Sequence, residues 1–198
     1  MTDWIKQTLQ PNGTLKNKLN ITDADKLEEA EYRITQARYI GVPHYEIKDI
    51  SALSQIHEYL FGDIYDWAGK YRPGDFHKGN TEFFPRKLFE NAIKDANRKI
   101  DHINEADYKS DSILAVDLAD LLLEVNQFHP FREGNGRTQR LFIIMLARQK
   151  GKTMHLSKVA PAYEDYMTAC KKDDNDLMAQ TIMKAFQRAI GYELTIEQ

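Results

Sequence analysis

His129-Pro-Phe-Arg-Glu-Gly-Asn-Gly-Arg-Thr-Gln-Arg140 is the stretch on which the reading of this chain turns. Twelve residues hold an imidazole, a carboxylate, three guanidinium groups and a Gly-Asn-Gly turn. Upstream, Ile113, Leu114, Val116, Leu118, Leu121, Leu122, Val125 and Phe128 cover most of a helical wheel. A helix apolar nearly all round is a buried one. Pro130 ends it, because the residue before a proline is pushed out of the right-handed helical region. The pattern therefore predicts a helix over about 112–128 with His129 at or just past its end. A second helix is predicted over about 136–150, apolar from Leu141 to Ala147, with Asn135 as N-cap and Gly151 beyond its end.

Charge is the informative part of this helix–loop–helix. Helix N-termini carry about half a positive charge and favour acidic side chains. Yet Arg137 and Arg140 lie in the first turns of the second helix, with Arg132 just upstream. Such placement makes sense if an anion sits there. Unbonded N–H groups of a glycine-rich loop at a helix start form a phosphate cradle. Arginine adds forked donors to phosphate oxygens, and glycines let the backbone approach closely. Glu133 is a hard oxygen ligand suited to magnesium on those phosphates. His129 alone in the stretch titrates near neutral pH, which makes it the candidate general base. The bland alternatives are a His129 that caps the preceding helix, a Glu133 that complements a helix N-terminus, and an Arg140 in a surface ion pair.

Outward from the motif, the expected architecture is mostly α. The 198 residues suit one domain with a sizeable core. Hydrophobic residues make up 42% and charged residues 29%, an ordinary balance for a globular protein. A net charge of −3 gives no global drive toward nucleic acid. Cys170 is alone, which excludes an intrachain disulfide and suits a reducing compartment. No signal core or membrane-length apolar run is present. The expected location is cytoplasmic, with delivery into a host cell left open, and the expected partners include neither nucleic acid nor membrane.

In chain order, residues 1–20 read as an irregular arm. Helices are expected from Thr22 or Asp23 to about Tyr39, over about 51–61, 86–100, 161–172 and 174–190. Residues 71–85, with Pro73-Gly74, Gly79-Asn80 and Phe83-Phe84-Pro85, read as a short β-hairpin leaning on the helices. A flap over a ligand is one role for it; a packing element is the other. Lys78 and Gly79 read either as contacts to nucleotide or target, or as a solvated turn. His44, His57, His77 and His155 read as structural or solvated, because none has metal-ligand spacing with another His or Cys. Phe83, Phe84 and Tyr71 read as core more than contact.

His129-Pro-Phe-x-Glu-Gly-Asn-Gly-Arg-x-x-Arg140 resembles the signature of Fic-domain proteins at every fixed position. Leu60-Phe61-x-Asp-x-Tyr-x-Trp-Ala-Gly-Lys-x-Arg72 resembles the segment before that family's flap, and Lys78-Gly79-Asn80-x-x-Phe83 the flap itself. Thr14-Leu-Lys-Asn-Lys-Leu19 resembles the N-terminal segment of bacterial members, so the likeness spans roughly Pro11 to Ile190. It implies a Fic fold in one domain over 1–198: a helical bundle, a central helix–loop–helix and a β-hairpin flap. It implies transfer of AMP from ATP to a Ser, Thr or Tyr hydroxyl of a target protein docked on the flap. In that scheme His129 deprotonates the hydroxyl and Glu133 holds Mg2+. Gly134, Asn135 and Gly136 hold phosphates, with the Asn135 side chain also offered. Arg137 and Arg140 bind the β- and γ-phosphates, and Phe131 anchors the loop. Phosphorylation or phosphocholination on the same fold is the alternative, and a non-catalytic nucleotide-binding module is the other. Many relatives are restrained by a Ser/Thr-x-x-x-Glu-Gly/Asn helix whose glutamate meets the second motif arginine, here Arg140. The chain's single approach to that pattern, Ser54 with Glu58, is followed by Tyr59 and lies inside the body. Either the chain is unregulated, or a separate small helical antitoxin supplies the glutamate in trans, as in a toxin–antitoxin pair; the second is the expected restraint.

Overall fold

The computed structural model describes all residues except 1–2, 44–45, 79–80, 157–159 and 197–198, with backbone alone at 3, 78, 81 and 187–196. Among the described residues eight α-helices run in chain order: α1 (Asp3–Gln7), α2 (Ala24–Ile40), α3 (Ser51–Phe61), α4 (Phe89–Glu105), α5 (Asp111–Phe128), α6 (Asn135–Gln149), α7 (Tyr163–Lys172) and α8 (Asn175–Ile196). The mostly helical expectation holds. The arm is not wholly irregular, because Asp3–Gln7 forms α1. Five residues are too few to show a helical period in sequence.

α5 is the axis of the bundle. Its N-cap Ser110 accepts from the Ser112 N–H. α4, α6 and α8 pack around it, α3 packs on α6 and α2, and α7 packs on α8. Leu118, Leu121, Leu122, Phe142, Ile143 and Leu146 are fully enclosed between these layers. The wheel reading of α5 overreached on one face: Ile113 is 53% exposed and Val116 is 50% exposed. Both lie in the first half of the helix, away from the motif. α2 begins at Asp23, whose carboxylate accepts from the Lys26 N–H. Among the described residues no helix is long and apolar enough to cross a membrane.

Between α3 and α4 the chain crosses over the C-terminal end of α5. Two short strands, β1 (His77–Lys78) and β2 (Thr81–Glu82), pair antiparallel with His77 opposite Glu82 and Lys78 opposite Thr81. The expected turn at Gly79 and the Lys78 side chain lie outside the described residues. The ladder is four residues in all, too little to stand alone in water. Main-chain bonds fasten one root to the motif and the other to the end of α5: Arg72 N–H donates to Pro130 O (2.7 Å) and Phe84 N–H to Gln127 O (3.0 Å). Phe76 and Phe83 stack with centroids 5.7 Å apart.

Candidate active site

His129 ends α5 in a left-handed conformation, φ 43° and ψ 58°. The sequence placed it at this boundary correctly. Its conformation is not the extended one that a following proline favours. A non-glycine residue in this region is strained by roughly 1–3 kcal/mol, so the surroundings must hold it. Its N–H donates to Val125 O (3.2 Å) and its O accepts from Arg72 Nε (2.9 Å). Nδ1 lies 3.2 Å from Asn126 O. A carbonyl can only accept, so Nδ1 carries the proton in the neutral ring and Nε2 carries the lone pair. That is the tautomer a general base needs. Phe83 stacks on the imidazole at 3.6 Å, 11° from parallel.

The loop after His129 is held from inside. Phe131 is fully buried, as expected of an anchor, and stacks on His57 at 3.9 Å. His57, on α3, has Nε2 2.9 Å from Glu133 O, while its Nδ1 accepts from the Gly69 N–H (2.8 Å). It is structural, as the sequence allowed, and burial lowers its pKa to about 4. Asn135 is not the N-cap. Gly134 takes that position at φ 81°, and Asn135 is the first helical residue. Its amide turns inward, where Oδ1 accepts from Phe131 N–H (2.9 Å) and Nδ2 donates to Phe131 O (2.9 Å). A buried amide closes this turn because both of its ends find main-chain partners, so the side chain is not offered to a phosphate. Gly134 is required twice over: φ is positive, and a Cβ would run into the Phe61 ring.

The first helical bond of α6 runs from Thr138 N–H to Gly134 O (3.1 Å). The amides of Asn135, Gly136 and Arg137 precede it and are the donors a helix start leaves over. Glu133 lies beside them, one oxygen accepting from the Gly134 N–H (3.0 Å). Among the described residues no three His, Cys, Asp or Glu gather around a common point. Glu133 is the one carboxylate within the loop itself. This fits magnesium carried on phosphate oxygens and water, which needs only one or two protein carboxylates.

The three arginines part company. Arg132 Nε donates to Thr8 Oγ1 (2.9 Å), beside α1, and its guanidinium lies over Phe76 at 5.6 Å. Arg137 donates to Glu31 of α2, whose second oxygen accepts from Tyr65. Arg140 turns the other way, toward α7, 5.3 Å from the ring centroids of both Tyr163 and Tyr166. It is 8% exposed, and among the described residues no carboxylate pairs with it. The picture of a cation cluster awaiting an anion is thus corrected for Arg137, whose charge Glu31 already balances. Nearby, Gln139 Nε2 donates to Asn126 Oδ1 (3.1 Å) and Tyr166 Oη (2.7 Å), tying the end of α5 to α7.

Sequence reasoning missed Glu31, Arg72 and the contact of Phe83 with His129. Glu31 and Arg72 reach the motif from 106 and 57 residues away. The weak signal for Phe83 was its place in an aromatic pair on a hairpin too short to have its own core.

Residues 48–147 match the model of the Fic/DOC family. The chain is 34% identical over 152 residues to a probable protein adenylyltransferase of Sinorhizobium fredii, covering 74% of this chain and 77% of that protein. It is 35% identical over 145 residues to the protein adenylyltransferase VbhT of Bartonella schoenbuchensis, covering 70% of this chain and 30% of that protein. Among solved structures, BepC of Bartonella tribocorum with bound AMPPNP superposes with a TM-score of 0.82 at 24% identity, over 93% of this chain and 98% of that one. The match to the family model and the identity with curated relatives agree with the motif and its geometry: this chain belongs to the Fic/DOC family.

Proposed function

We propose that this chain, as one Fic domain over 1–198, transfers AMP from ATP to a Ser, Thr or Tyr hydroxyl of a target protein and releases pyrophosphate. The observation that carries the reading is His129, its Nδ1 3.2 Å from Asn126 O, standing five residues before a glycine-bounded helix start. Relatives bearing the name protein adenylyltransferase support it over two thirds or more of this chain.

In this reading His129 Nε2 takes the proton of the target hydroxyl as its oxygen attacks the α-phosphorus. The bond from that phosphorus to the bridging oxygen breaks, and pyrophosphate departs. The amides of Asn135, Gly136 and Arg137 and the dipole of α6 favour the negative charge on the phosphates. Arg140 supplies an enclosed cation for the departing end. Arg137 reaches a phosphate only in competition with Glu31. Magnesium bound by Glu133 would neutralise phosphate charge during transfer. A target strand adding to the edge of β1 or β2 would bring its hydroxyl to His129. An intact Gly134-Asn135-Gly136 favours nucleotidyl transfer over phosphorylation.

Arg140 also frames the proposed restraint. A buried guanidinium that pairs with no carboxylate among the described residues suits a glutamate brought in trans by a small helical partner. Among the described residues no ion pair joins Glu58 to Arg140, which supports a separate inhibitor over an internal one.

His129→Ala tests the proposal. ATP binding should persist while transfer is lost, because the base acts on the incoming hydroxyl and the phosphates are held elsewhere. Transfer at the wild-type rate, or loss of ATP binding with it, would remove His129 from this role.

A further inference from the structure

Arg72 is 2% exposed, yet its hydrogen bonds all go to main-chain carbonyls. A buried guanidinium usually meets a carboxylate. Here Nε donates to His129 O (2.9 Å), Nη1 to Gly74 O (2.6 Å), and Nη2 to Phe84 O (2.5 Å) with Phe128 O at 3.5 Å. These carbonyls come from three places: the C-terminal end of α5, the root before β1 and the root after β2. The plane of the guanidinium is backed by Phe89, 4.7 Å away.

Two consequences follow from the chemistry of the fork. Positive charge at the C-terminal end of α5 is favourable against its dipole. A bond to the carbonyl of His129 also fixes the peptide that its left-handed backbone strains, and with it the start of the imidazole side chain. Because the same fork holds Phe84, it sets the neighbouring Phe83, which stacks on that imidazole. Lysine could supply the charge but not three directed donors in one plane.

We propose that Arg72 is a positioning residue that binds both roots of the β1–β2 segment to the carbonyl of His129, so that the segment and the base move as one body. This rests on the reading of His129 as the base. Arg72 touches no substrate; it sets where Nε2 points relative to a target held on the flap. Burial lowers the Arg72 pKa to about 10, so the fork stays charged at neutral pH.

The test compares Arg72→Lys and Arg72→Gln with wild type, and His129→Ala in parallel. Four properties are read: thermal melting, ATP affinity, incorporation of α-labelled ATP into lysate protein across ATP concentrations, and the 15N spectrum of the His129 imidazole. Arg72→Lys should fold and bind ATP as wild type does. Its maximal transfer rate should fall about ten-fold or more, as a displaced base would cause, with the ATP concentration for half-rate unchanged. The imidazole signals should move from the Nδ1–H tautomer toward a mixture. A folded Arg72→Lys with wild-type transfer and an unchanged tautomer would overturn the proposal, as would a rate that falls only with the folded fraction. If His129→Ala still transfers, the base reading fails, while the tautomer signal still reports whether Arg72 orients the ring. Should neither Arg72 variant fold, hydrogen exchange on the wild type decides: the amides of Arg72, Phe84 and His129 should exchange as one unit. Independent exchange of Phe84 would overturn the coupling.

Discussion

Acidification should loosen the motif through His57 before it affects the rest of the fold. His57 is 0% exposed and uses both ring nitrogens on main-chain partners, Glu133 O and the Gly69 N–H. A proton on Nδ1 would face that N–H donor, and the charge would be buried between Phe61 and Phe131. Burial accordingly moves its pKa from 6.5 down to about 4. The folded value lies below the unfolded one, so the neutral ring's contribution is full above pH 6.5 and is lost as pH falls toward 4. Each pH unit in that window costs about 1.4 kcal/mol, giving about 2 kcal/mol by pH 5 and about 3 kcal/mol by pH 4. That is a large part of a net stability of roughly 5–15 kcal/mol. His57→Gln is the control, because its amide can donate to Glu133 O and accept from Gly69 but does not titrate between these values. Urea unfolding of both proteins at pH 7.5 and pH 5 isolates the effect, since every other titrating group is common to them. Wild type should lose about 2 kcal/mol more than the variant. Equal losses would show that His57 carries no acid sensitivity and that the loop is not held as described.

Gly134→Ala should destabilise the protein by about 2–5 kcal/mol, combining strain at positive φ with a clash against Phe61, and should abolish ATP binding even where the protein folds. Thermal melting and calorimetric titration with ATP read the two effects. Arg137→Ala and Arg140→Ala should fail in different ways. The first leaves the buried Glu31 without its cation, held only by the Tyr65 hydroxyl, lowering stability by as much as about 3 kcal/mol. The second should lose less stability, about 1 kcal/mol from its contacts with Tyr163 and Tyr166, and roughly 1.5–3 kcal/mol of nucleotide affinity. Equal behaviour of the two in unfolding and titration would contradict the divergence of their side chains. Glu133→Ala should raise the magnesium concentration needed for transfer, and an unchanged magnesium titration would count against Glu133 as the metal's carboxylate.

What the sequence made legible was local. The apolar run into Pro130, the glycine loop and the arginines one turn apart define a helix–loop–helix without reference to anything distant. The readings that failed concern partners supplied by other segments. Asn135 has the composition of an N-cap, but the main chain of Phe131 lies close enough to claim both ends of its amide. Arg137 looks like a cation in search of an anion until α2 brings Glu31 against it. Arg72 carries no local sign of its work, since carbonyls are present at every residue and only the fold selects four of them. α5 seemed buried on all sides because an apolar wheel cannot show that the neighbouring helices leave Ile113 and Val116 uncovered.

The most direct test of adenylyl transfer is a pair of reactions on the purified chain with magnesium and a lysate, one supplied with ATP labelled at the α-phosphate and one with ATP labelled at the γ-phosphate. The account predicts protein labelling from the α-position alone, with γ-label leaving in pyrophosphate, and no labelling by His129→Ala. Label transferred from the γ-position would make the chain a phosphotransferase on the same fold, and nucleotide binding without protein labelling from either position would contradict transfer altogether.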